Sequence, residues 1–157
     1  MVGGRRPGAA VRCAALAASG VLALPALAGC GLGTGDDETL GGFGLPVVPE
    51  EGVPGARGEV TGVLRVERNG CFTLEYEDGA RPWVIWPRTA RHDGAEVVLG
   101  DGTAVGDGTR LVGSGARLGA DALPGWDDED TYLGSFGRFC EAGDVGVVVL
   151  DEVRPVA

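Results

Sequence analysis

Four groups of side chains have the types and spacing to do chemistry. The first is Ser114, in Gly113-Ser114-Gly115, taken with His92-Asp93. A hydroxyl activated by a histidine that a carboxylate orients is the minimum for nucleophilic catalysis. The serine does not sit in a G-x-S-x-G elbow, and no strand–turn–helix pattern surrounds it. A small hydrolase is therefore an alternative reading rather than the main one. The second group is Asp127-Asp128-Glu129-Asp130, with Asp121 upstream. Carboxylates in such density suit a hard cation such as Ca²⁺, which takes six to eight oxygens.

That acidic run matches no EF-hand spacing, and Asp101 to Gly108 does not match the glycine–aspartate nonapeptide of β-roll repeats. His92 is the single histidine, and no CxxC is present, so a zinc-type ligand set is lacking. No metal site and no cofactor are expected. Asp127, Asp128, Glu129 and Asp130 are the weak candidates, and an acidic calcium-binding protein is the second alternative. The third group is aromatic. Trp83 and Trp86 are three apart, so on a strand they face opposite sides, one towards a core and the other outward. Trp86, beside Pro87 and Arg88, and Trp126, beside the acidic run, make the candidate binding patch. The fourth group is the cysteines, at 13, 30, 71 and 140.

The elements that would position these groups begin with an export signal. Arg5, Arg6 and Arg12 precede an almost wholly apolar stretch from Cys13 to Ala28. At 16 residues it falls short of the roughly 20 a bilayer span needs, and Gly20 and Pro25 interrupt it. This is the pattern of a cleaved signal. Arg5-Arg6 lacks the apolar residues that follow a twin-arginine pair, so the ordinary secretory route is expected.

The signal ends on Leu27-Ala28-Gly29-Cys30, which resembles the lipobox of bacterial lipoproteins. The resemblance implies that residues 1–29 are removed and that the Cys30 sulfur carries a diacylglyceryl group. The domain would then be held extracytoplasmically, at the outer face of the cell membrane. A single acyl chain binds marginally, whereas two hold stably. The full chain carries a net charge of −10. Loss of the three signal arginines leaves ten against 23 acids, a net of −13. Such a balance excludes a nucleic-acid partner, because phosphate binding needs a basic face. It equally disfavours docking on anionic headgroups. All 13 basic residues are arginine, in a composition with 30 Gly that reads as a high-GC coding bias.

With Cys13 removed and Cys30 lipidated, Cys71 and Cys140 remain in an oxidising compartment. A disulfide is the simplest use of them, with a metal or redox pair as the rival. The bridge would close a loop of about 70 residues, with roughly 4 kcal/mol as the chain-entropy ceiling. Residues 30–57 have neither helical nor strand periodicity. They are rich in glycine, proline and acid and read as a linker that lets residues 58–157 float near the membrane.

From Gly58 the texture changes to short strand-like runs. Glu59 to Glu67 and Cys71 to Glu77 alternate, and Arg81 to Pro87 is apolar and bounded by prolines. Ala95 to Leu99 and Thr103 to Val105 follow, Thr109 to Leu118 is interrupted by glycine, and Val145 to Val153 is strongly apolar. Asn69-Gly70, Asp78-Gly79, Asp93-Gly94 and Asp101-Gly102 punctuate them. The fold expected is all-β, a small closed or partly open barrel of OB or SH3-like type with five to seven short strands. A two-sheet sandwich is the alternative. One helical turn is expected near residues 127–133. The succession Gly70-Cys71, Trp86-Pro87, Val98-Leu99, Val105-Gly106-Asp107 and Cys140 over residues 58–153 resembles small actinobacterial secreted or lipoprotein domains without an assigned role. That resemblance implies fold and location and brings no catalytic residues. The function expected is a non-enzymatic binding or interaction module, with an envelope protein or a small ligand as partner.

Overall fold

The computed structural model describes residues 44–156. The expected signal at 1–29, Cys30 and the expected linker up to residue 43 lie outside the described residues. Eight strands are present among the described residues: β1 (Gly58–Val66), β2 (Phe72–Glu75), β3 (Trp83–Ile85), β4 (Arg91–Asp93), β5 (Glu96–Val98), β6 (Ala104–Val105), β7 (Arg110–Leu118) and β8 (Val147–Pro155). Two short helices, α1 (Tyr132–Phe139) and α2 (Ala142–Val145), lie between β7 and β8.

Five strands close into a barrel in the order β1-β2-β3-β8-β7, with β7 returning to pair with β1. Strands β1, β2 and β3 form a meander, and β7 comes back over a long connection to lie beside β1. That is a Greek key, which β8 completes by slotting between β7 and β3; the result is the five-stranded barrel of OB type. Closure rules out the sandwich and removes the exposed sheet edges. The remaining strands form a separate sheet, β4-β5-β6, so the strand count exceeds the expected seven. Strand β4 is exposed throughout and has no apolar alternation, which is why no run around His92 stands among the expected strands.

The Asn69-Gly70 signal works as expected. Gly70 adopts φ 86° and donates its N–H to the Glu67 carbonyl at 2.8 Å, while Asn69 Oδ1 accepts from the Cys71 N–H at 3.2 Å. Val66 then faces Phe72 across the hairpin. The glycines of Gly113-Ser114-Gly115 have a different purpose. A β-carbon on Gly113 would lie 1.9 Å from the Glu152 carbonyl oxygen, and one on Gly115 would lie 2.0 Å from that of Val149. Opposite the Ser114–Gly115 step, β8 carries one extra residue, Asp151, a bulge that shifts the register of the pair, and only glycine permits so close a backbone approach there.

The pairing of β3 with β8 is parallel, Trp83 opposite Val147 and Ile85 opposite Val149. Strand β3 and the first four residues of β8, Val147 to Leu150, are buried on both faces. Val84, Trp86, Val148 and Leu150 point into the barrel, joining Leu64, Leu74 and Leu111. Trp83, Ile85, Val147 and Val149 point outward into a second core, with Leu123, Leu133 and Ala142 from the β7–β8 connection. This explains why Trp83 to Trp86 and Val147 to Leu150 read as unbroken apolar runs rather than alternating ones. Pro82 and Pro87 flank β3 just outside its ends, where the missing N–H disrupts no ladder bond.

The stretch expected as linker needs a correction at its C-terminal end. Residues 44–57 lie against the barrel instead of floating. Trp86 donates its N–H to the Pro46 carbonyl at 2.7 Å, Val48 donates to the Trp86 carbonyl at 2.9 Å, and Val47 forms a parallel bridge with Trp86. Pro46 and Val53 are buried. Arg57 closes this strap, bonding the Val53 carbonyl at 3.0 Å and Asp151 of β8 at 2.7 Å. The docking rests on backbone hydrogen bonds and two or three apolar anchors, so a composition rich in glycine and proline conceals it.

Candidate functional site

The connection from β7 to β8 carries the surface with the clearest functional character. Thr131 caps α1: its Oγ1 accepts from the Gly134 N–H at 3.1 Å and donates towards the carbonyls of Gly125, at 2.7 Å, and Asp128, at 2.9 Å. The helix thus starts at Tyr132, beyond most of the turn expected at 127–133. Two glycines let it pack tightly. A β-carbon on Gly137 would lie 2.8 Å from the Trp126 ring and 3.1 Å from that of Trp83. The helix ends at Cys140, which bonds Cys71 across 69 positions of chain. The expected disulfide is therefore present, joining the β1–β2 hairpin to the end of α1.

Helical spacing puts Tyr132, Phe136 and Phe139 on one stripe. Phe136 stands edge-on to buried Trp83 with centroids 5.6 Å apart; Tyr132 and Phe139 flank it at 5.8 and 6.2 Å. The outer two rings face solvent, with Tyr132 39% and Phe139 57% exposed. Partial burial nevertheless pushes the Tyr132 hydroxyl up to about 12. Of the four large apolar side chains exposed among the described residues, Tyr132, Phe139 and Val145 belong to this segment, and Val156 alone lies elsewhere. Just beyond the helix, Glu141 adopts φ 57°, the one non-glycine residue in the left-handed region among those described.

The predicted site residues fall as follows. Trp86 is fully buried inside the barrel and leaves the binding patch. Trp83 and Trp86 do face opposite sides of β3, but both sides are cores, so the expected outward tryptophan does not exist. Trp126 is half-buried against the second core, and the Arg138 guanidinium lies 4.9 Å above its ring. Asp127, Asp128, Glu129 and Asp130 are all exposed, and Asp128 accepts from the Asp130 N–H at 2.9 Å. Among the described residues, no three of His, Cys, Asp or Glu converge as metal ligands would. Ser114 lies on β7 in the barrel and His92 on β4 in the small sheet, where its ring meets Phe72 edge-on at 5.8 Å. No hydrogen bond joins them.

A second feature, on the barrel wall, is an ion-pair chain. Arg65 on β1 donates to Glu75 on β2, and Arg81 reaches both Glu67, at 3.4 Å, and Glu75, at 3.6 Å. The bond from Arg65 holds the Glu75 carboxyl below its ordinary range, and Glu75 in return raises Arg65. A shallow groove beside it is lined by Glu59, Tyr76 and Arg110 as well. Arg65, Glu67, Glu75 and Arg81 satisfy one another in this chain of pairs, an arrangement that braces the barrel wall.

The aromatic stripe escaped sequence reading because its segment offers eight helical residues containing two glycines, below any recognisable amphipathic length. The signal that was present is Tyr132, Phe136 and Phe139 at spacings of four and three. No helix among the described residues is long and apolar enough to cross a membrane. Comparison with known proteins finds no matching family model, no matching curated protein and no matching solved structure.

Proposed function

We propose that this chain is a lipid-anchored extracytoplasmic module that binds a partner at the cell envelope without catalysing a reaction. The observation that carries the binding function is the exposed aromatic stripe of α1. Soluble monomers rarely leave clustered aromatic rings in water, and a stripe seated on Trp83 and pinned by a disulfide is pre-organised for contact. The lipobox-like Leu27-Ala28-Gly29-Cys30 supports the anchor. A disulfide between two buried cysteines suits an oxidising compartment, which supports export.

The test is intact-mass measurement of the protein extracted from membranes of the cells that make it. Residues 1–29 should be gone and Cys30 should carry acyl chains. Cys30→Ala should move the protein from the membrane fraction to the soluble one. A full-length chain with an unmodified Cys30 would defeat the anchor.

A further inference from the structure

We infer that the aromatic stripe of α1 docks a cationic protein segment, one whose apolar side chains meet Tyr132, Phe136 and Phe139 while its Lys and Arg meet the surrounding acids. This deepens the binding function proposed above and rests on it for the stripe's role, though not for the lipid anchor.

Charge around the stripe chooses the occupant. Between Asp121 and Val145 the chain holds seven carboxylates and a single arginine. Asp127 to Asp130 precede the Thr131 cap of the helix, and Glu141 and Asp144 follow Phe139, so acid flanks the aromatic segment at both ends of the sequence. All six are exposed, and none forms an ion pair among the described residues. Arg138, engaged with the Trp126 carbonyl and ring, ion-pairs with none of them and offsets only one of the seven charges. An apolar centre with a charged rim is the usual anatomy of a protein–protein contact, and a rim of one sign selects a partner of the other.

Two other occupants fit less well. A bilayer would welcome the aromatic rings, but the carboxylates beside them would be pressed against anionic headgroups. A second copy packed stripe to stripe would bring two acidic rims together, and like charges across an interface are costly.

Site-specific photo-cross-linking in the producing cells decides among these. The full chain would carry benzoylphenylalanine at position 139, with position 156, also exposed and apolar, as control. The expected product is an adduct from position 139 and not from 156. Mass spectrometry should map it to a protein segment in which Lys and Arg outnumber Asp and Glu. The D127N/D128N/E129Q/D130N variant should reduce the yield about tenfold or more, the scale of electrostatic steering. An adduct with phospholipid, with a second copy of this chain or with a neutral or acidic segment would overturn the inference. So would an unchanged yield in the four-amide variant, or no adduct at all. Intact mass of the same sample reports acylation of Cys30 separately, so loss of the anchor reading and loss of the docking inference remain distinguishable.

Discussion

Strand β3 divides the molecule into two regions that are stabilised by different means. On one side Trp86 lies in a barrel whose strands hydrogen-bond around a closed ring. On the other, Trp83 lies beneath two short helices and irregular loops that have few backbone bonds to the barrel. The barrel side is held by a ladder with no free edge, so it opens only as a whole. The helical side is held by side-chain packing, one cap and one disulfide, and is free to loosen first. The proposed docking surface therefore belongs to the less cooperative half, and the bridge from Cys71 to Cys140 ties it to the more cooperative one.

The contrast can be broken from the barrel side. Trp86→Ala should cost about 3–5 kcal/mol in denaturant unfolding, with protection lost throughout the chain. The indole N–H groups of Trp83 and Trp86 are both buried without a partner. Trp86→Phe sheds an unpaired donor along with volume and should cost markedly less. Next in size is replacement of Cys71 and Cys140 by serine, expected to lower stability by about 2–4 kcal/mol. Hydrogen exchange should then show residues 132–145 losing protection ahead of β1, β7 and β8. Equal loss everywhere would erase the distinction between the two halves.

Gly113→Ala tests how tightly the ladder closes. The added methyl group meets the Glu152 carbonyl, and a penalty of about 1–3 kcal/mol is expected, with a disturbed bulge visible in the amide resonances of β7 and β8. Thr131→Ala removes the α1 cap and should cost about 1 kcal/mol, confined to the helical side. The smallest effect is one of alkaline pH. Tyr132 keeps its proton up to about 12, against 10.0 for the free side chain. The unfolded chain loses that proton first, so stability should decline as pH rises from 10 towards 12. A tyrosinate absorbance titration that showed both tyrosines ionising near 10 would contradict this.

Much of the barrel was legible in the sequence, and most of its surface function was not. Asn69-Gly70 marked the first hairpin, and the late apolar run marked β8, because strand periodicity and turn chemistry are local. Cys71 and Cys140, the two cysteines outside the signal-like stretch and the lipobox-like motif, predicted their own bond. The two cores were hidden, since Trp83 and Trp86 look like one inward and one outward residue until the helices are known to cover the second face. The strap was hidden because its bonds are made by backbone. The stripe on α1 was hidden because Gly134 and Gly137 lower helix propensity while serving the packing that holds the helix in place.

The strap at residues 46–48 also sets a length scale. No stretch of n residues extends beyond about 3.5 Å each, whatever its conformation. Were docking to begin only at Gly58, an acylated Cys30 would leave the barrel a leash of up to roughly 100 Å. Because the chain is already seated on Trp86 by Pro46, the slack between Cys30 and Gly44 is at most about 50 Å. With the proposed anchor in place, a few backbone hydrogen bonds to one tryptophan halve the distance at which this protein can meet anything.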